Sequence, residues 1–169
     1  MFAKTLCFSW HPYRLRFRRF RRLQTLSLGF GPNFSAEDIQ AMKQMGDNCN
    51  QLRRLKIKMF FESGNNYLSL FSSFTQLSAL DITLCDYWDT NTISVSFSDL
   101  RQLSQLKHLR ICFNGLSDND FENIGQYLPQ LESLVITDDI GLYFSFNWTP
   151  TQSFKMSIWK IQVENEHDW

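Results

Sequence analysis

The sequence predicts a single α/β domain built as a solenoid of parallel strands backed by helices. Three observations carry that prediction. An apolar signature, Leu-x-x-Leu-x-Ile, recurs along most of the chain. Between its copies the apolar residues fall at helical spacing. The chain has 169 residues, of which 43% are hydrophobic, enough for one domain with a sizeable core.

The signature is clearest in Leu106/Leu109/Ile111, which Asn114 follows three residues later. It recurs as Leu23/Leu26/Leu28, Leu52/Leu55/Ile57, Leu77/Leu80/Ile82 and Leu131/Leu134/Ile136. The leading leucines are separated by 29, 25, 29 and 25 residues. Met156/Trp159/Ile161 is a weaker sixth copy. Periods of this size mark architectures in which each unit buries its apolar face against the next. Side chains alternate faces along a strand. The signature positions then point into the core, and the residues between them share the opposite face.

The connecting segments carry helix signals. Ser35-Ala-Glu-Asp38 has the form of a capping box, with Asp in place of the usual Glu or Gln. Ile39, Met42, Met45 and Cys49 follow at helical spacing. Ser117-Asp-Asn-Asp120 repeats that start ahead of Phe121, Ile124 and Leu128. Gly64-Asn-Asn66 marks a turn before a helix carrying Tyr67, Leu70, Phe71 and Phe74. After Cys85 comes a long connection in which Tyr87 and Trp88 precede Asp89. Segment 92–97 reads as extended or as the start of a short helix.

At the amino end, residues 12–22 form a basic amphipathic helix by spacing. Tyr13, Phe17 and Phe20 share a face with Leu23, and six arginines crowd positions 14–22. From Asp138 onward the signature decays into two alternating segments, LYFSFNW and MSIWKIQV. The expected division is therefore a basic capping segment over 1–22, five repeats over 23–137, and a divergent sixth repeat or carboxy-terminal cap with a tail over 138–169.

The repeat resembles the leucine-rich repeat family. That resemblance implies a horseshoe arc of five to six repeats, with parallel strands on the concave face and helices on the convex face. The spacing and the strand pattern are also similar to the repeat region of F-box/leucine-rich-repeat proteins. In that family an F-box joins the adaptor of a cullin ubiquitin ligase while the repeats hold the substrate. No stretch of this sequence resembles an F-box. The expected function is thus a protein-interaction module, the substrate-recognition repeats of an F-box-type receptor, with at most an indirect link to the ligase. The alternatives are a nucleic-acid-associated protein acting through Arg14–Arg22, or a repeat-only inhibitor or scaffold.

The candidate partner-binding residues on the concave face are Arg54, Lys56, Lys58, Asp81, His108 and Arg110. One rung across the strands reads Ser27, Lys56, Asp81, Arg110, Val135, so Lys56 and Arg110 flank Asp81. The cations favour an acidic or phosphorylated protein segment. The competing reading is that Asp81 pairs with both cations and the face balances itself. Tyr87 and Trp88 are loop candidates, because aromatic residues dominate interface energetics; Trp88 folding back over the sheet edge is the alternative.

Formal net charge is zero but unevenly placed. Through residue 60 there are 12 Lys+Arg against 3 Asp+Glu, and from 61 onward 5 against 14. The two ends of the chain therefore carry opposite potentials, which matters for steering partners. The arginine cluster lacks the aromatic platform of a nucleic-acid fold, so nucleic acid is disfavoured as a partner.

No catalytic chemistry is legible, and an enzyme is not expected. His11, His108 and His167 have no Ser or Cys partner in a recognised local motif. Neither a glycine-rich phosphate loop nor HExxH occurs. Cys7, Cys49, Cys85 and Cys112 lack zinc spacing and read as reduced thiols, so neither metal nor cofactor is expected. With no membrane span and no signal-peptide pattern, the expected location is cytoplasmic or nuclear. The Arg-rich, acid-free first 36 residues also suit a mitochondrial transit peptide, whose removal would take the first signature copy with it.

Overall fold

The computed structural model describes residues 5–9, 21–30, 35–61, 68–86, 96–112, 123–137 and 143–147. Their fold is α/β, built on a sheet whose strands lie side by side in chain order. The strands are β1 (Thr5–Ser9), β2 (Thr25–Gly29), β3 (Arg54–Phe61), β4 (Ala79–Asp86), β5 (His108–Cys112), β6 (Ser133–Thr137) and β7 (Tyr143–Asn147). Strands β1 to β6 pair in parallel, and β7 pairs antiparallel with β6.

The register puts the same signature position of every copy in one row. Leu26 aligns with Leu55, Leu80, Leu109 and Leu134, and Leu28 with Ile57, Ile82, Ile111 and Ile136. All of these residues, with the five leading leucines, are buried. They form one continuous apolar cluster with the residues of the layer behind the sheet. Burial of each such aliphatic side chain contributes about 1.5–3 kcal/mol before entropy is counted.

Each unit also repeats the same backbone joints. The leading-leucine amides of Leu52, Leu77, Leu106 and Leu131 donate to carbonyls three residues earlier, on Cys49, Phe74, Leu103 and Leu128. This tight turn brings the chain from the backing layer into the sheet. One residue later, a single carbonyl accepts from two amides of the following unit. Gln24 O receives Arg53 N and Arg54 N; Arg53 O receives Ser78 N and Ala79 N; Ser78 O receives Lys107 N and His108 N; and Lys107 O receives Glu132 N and Ser133 N. These joints pair backbone polar groups where the chain enters each strand, groups that would be costly to bury unpaired.

The backing layer is less helical than its apolar spacing suggests. It holds α1 (Ala36–Asn48), 3₁₀ turns at Leu68–Phe71 and Phe97–Leu100, and α2 (Ile124–Tyr127). These elements pack against one another in that order. Helix α1 starts at the anticipated capping box. Ser35 Oγ accepts from Asp38 N at 3.3 Å, and Ser35 N donates to Asp38 Oδ2 at 2.8 Å. Met42, Met45 and Cys49 are buried, while Ile39 is half-buried against the core.

The helix expected over Tyr67–Phe74 is instead a single 3₁₀ turn. Leu70, Phe71 and Phe74 are nevertheless buried. Apolar residues at this spacing mark a buried side of the layer, which a 3₁₀ turn satisfies as a longer helix would. Strands β3 and β4 also run past the signature: their pairing extends through Phe60 opposite Cys85 and Phe61 opposite Asp86.

The sequence carries no signature for β1: within the capping segment 1–22 its helix signal covers only 12–22. Thr5–Ser9 instead pairs with β2, Leu6 opposite Leu26 and Phe8 opposite Leu28. At the other end, β7 falls within the first of the two alternating segments and turns back on β6. Residues 143–147 therefore add no parallel copy; the weaker sixth signature at 156–161 lies outside the described residues, as do Ser117–Asp120 and Arg14–Phe20.

Candidate interaction face

With one face of the sheet filled by the signature residues, the other is open along β3 and at His108 on β5, while Ala79, Asp81 and Thr137 on it are buried. Three rungs cross it. They read Thr25–Arg54–Ala79–His108–Ser133, then Ser27–Lys56–Asp81–Arg110–Val135, then Gly29–Lys58–Thr83–Cys112–Thr137. The register brings together all six anticipated face residues. Tyr87 and Trp88 lie outside the described residues.

Charge on these rungs is confined to β3, β4 and β5. Arg54, Lys56 and Lys58 are exposed along one side of β3, where side chains at alternate positions share a face. His108 is exposed and Arg110 half-buried on β5. Between them Asp81 is only 7% exposed, the one buried carboxylate of the rungs. Flanking strands β2 and β6 contribute Thr25, Ser27, Gly29, Ser133, Val135 and Thr137, all uncharged.

Lys56 Nζ lies 3.4 Å from Asp81 Oδ2. The lysine side chain is 55% exposed and the aspartate side chain 10%. Arg110 stands opposite Asp81 in register but forms no ion pair with it among the described residues. The face therefore does not balance itself. One cation is answered by Asp81, and Arg54, Lys58 and Arg110 have no ion-pair partner among the described residues.

A second row, at the start of the strands, was not singled out in the sequence. It runs Gln24, Arg53, Ser78, Lys107, Glu132, the position after each leading leucine, and the carbonyls of the first four make the shared joints. Its side chains also tie neighbouring units. Arg53 Nη1 donates to Gln76 O at 3.1 Å, Ser78 Oγ to Arg53 O at 3.1 Å, and Lys107 Nζ to Glu132 Oε1 at 2.6 Å. The Lys107 hydrogen bond holds the Glu132 carboxyl below the usual carboxylate range. The signal was available: it is the first x of every Leu-x-x-Leu.

A cavity of about 580 Å³ opens elsewhere, between the end of α1 and residues 73–76. Gly46, Asp47, Cys49, Ser73 and Phe74 are among its lining residues. Burial pushes the Cys49 thiol up to about 11. Ser73 Oγ is buried with no hydrogen-bond partner among the described residues. No group of three or more His, Cys, Asp or Glu is placed to hold a metal ion among the described residues. No helix among them is long and apolar enough to cross a membrane.

Neither a protein-family model nor a curated protein matches this chain.

Proposed function

We propose that this chain is a leucine-rich-repeat solenoid that binds a protein partner on the open face of its sheet. The observation that carries the reading is the three exposed cations Arg54, Lys56 and Lys58 on one strand, of which Lys56 alone has an ion-pair partner, Asp81, among the described residues. Such a face attracts an acidic or phosphorylated segment, because charge-assisted hydrogen bonds from Arg and Lys are stronger than neutral ones. The sequential strands, the recurring joints and the signature rows support the solenoid part of the reading. The resemblance to F-box-type repeats supports substrate recognition for a cullin ubiquitin ligase as the biological setting. Binding, with no catalysis of its own, is the proposed activity.

The test compares wild type with the Lys56→Glu/Arg110→Glu variant in affinity capture from cells, read by mass spectrometry. The expected result is a protein recovered by wild type and lost with the variant. Recovery of a cullin and its adaptor with wild type would support the ligase setting. Identical protein sets from the two chains would refute the face as the binding surface.

A further inference from the structure

We infer that Arg54 and Lys58 are a spaced pair of anion receptors, selecting an extended segment whose two anionic side chains stand four residues apart. This rests on reading the open face as the partner-binding surface. The inference comes from how the charge on the face is laid out.

The densest run of cations on the face lies along one strand. On β3 they occupy three successive same-face positions, whereas the adjoining β2 places none beside them and the adjoining β4 places only Ala79, Asp81 and Thr83; His108 and Arg110 stand one strand further, on β5. At ~3.3 Å per residue, neighbouring same-face positions are ~6.6 Å apart and Arg54 and Lys58 ~13 Å apart. An anion that meets this row at more than one point must therefore be elongated along β3.

The middle position is already taken. Lys56 is paired with Asp81, which is itself nearly buried and held in the adjoining strand opposite it. A partner anion arriving over Lys56 would displace that pairing and sit beside the Asp81 carboxylate. Like charges that close oppose binding. Arg54 and Lys58 are exposed at both sides, opposite Ala79 and Thr83, which carry no charge. Asp81 thus divides a continuous row of cations into two receptors. An extended ligand advances at nearly the same rise per residue as the strand beneath it. Its anionic residues meet the two receptors when they are separated by four positions.

The test uses the full chain and synthetic extended peptides rich in Gly, Ser and Thr. Each carries two phosphoserines, or two glutamates in a parallel series, spaced two, four or eight residues apart at equal net charge. Affinity is read by fluorescence anisotropy at low salt, with circular dichroism confirming the fold of each variant. The four-residue spacing is expected to bind about threefold to fivefold tighter than the others, the scale of one additional exposed ion pair. That preference should vanish in Arg54→Ala and in Lys58→Ala. In Asp81→Asn the freed Lys56 should raise affinity for the two-residue spacing and narrow the gap.

A preference in both series assigns carboxylates and phosphates alike, and a preference in the phosphoserine series alone assigns phosphate. Equal affinity for all three spacings would overturn the inference while leaving the open face as a binding surface. Failure of every peptide to bind would overturn both.

Discussion

Lys56 Nζ reaches Asp81 Oδ2 at 3.4 Å across adjacent strands, and the two residues differ sharply in exposure. The carboxylate is nearly buried and the ammonium mostly in solvent. Removing the lysine therefore does more harm than removing the acid. Lys56→Met is expected to lower stability by about 1 kcal/mol, because it leaves a poorly solvated carboxylate without its cation, while the exposure of the pair limits the cost. Adding Asp81→Asn should recover most of that loss. Urea denaturation of the two single variants and the double variant measures the coupling.

The capping box at Ser35 and Asp38 anchors the longest helix among the described residues. Ser35→Ala removes the oxygen that accepts the Asp38 amide. The expected loss is about 1 kcal/mol. Helix content by circular dichroism should survive at 25 °C, with a lowered denaturation midpoint.

Gly46 on α1 packs tightly against Ser73, just after the 3₁₀ turn at Leu68–Phe71. A methyl group on Gly46 would lie 2.7 Å from Ser73 Cβ and 3.0 Å from its carbonyl carbon. Gly46→Ala should destabilise by about 1–2 kcal/mol, because overpacking outweighs the gain in helix propensity. Ser73→Ala should do the opposite. It removes a buried hydroxyl with no partner among the described residues, for a gain of up to about 1 kcal/mol. Thermal or urea midpoints of the two variants should therefore move in opposite directions.

Cys49 makes stability depend on pH at the alkaline end. Burial raises its thiol from 9.0 to about 11, so the folded state resists forming the thiolate that the unfolded chain forms more readily. The sign follows from linkage: the contribution is fully present below about pH 9 and is lost as pH rises toward 11. Wild type should lose more stability across that window than Cys49→Ala does. At pH 8 the Cys49 thiol should also react with a disulfide reagent only on unfolding.

The sheet was legible because its signal is periodic and apolar. Leu26, Leu55, Leu80, Leu109 and Leu134 fall in one row, as their spacing required, and the open-face rungs followed by alternation. The helical layer was less legible. Apolar spacing such as Leu70/Phe71/Phe74 signals burial but does not by itself distinguish an α-helix from a short 3₁₀ turn. The strand at Thr5–Ser9 escaped because the adjoining arginines and aromatics suggested a helix. On the face, the charges and their neighbours were legible, but their pairing was not. Lys56 and Arg110 flank Asp81 equally in register, and only the side-chain geometry shows that Lys56 takes it.

The most direct measurement of the face's role is binding of fluorescent polyglutamate to three proteins at low salt. They are wild type, Arg54→Glu/Lys58→Glu, and a chain in which Arg14, Arg16, Arg18, Arg19, Arg21 and Arg22 are replaced by Gln. Anisotropy should show binding by wild type and by the Gln chain, and its loss in the β3 variant. Loss in the Gln chain with the β3 variant unaffected would contradict the open face and move recognition to the amino-terminal arginines.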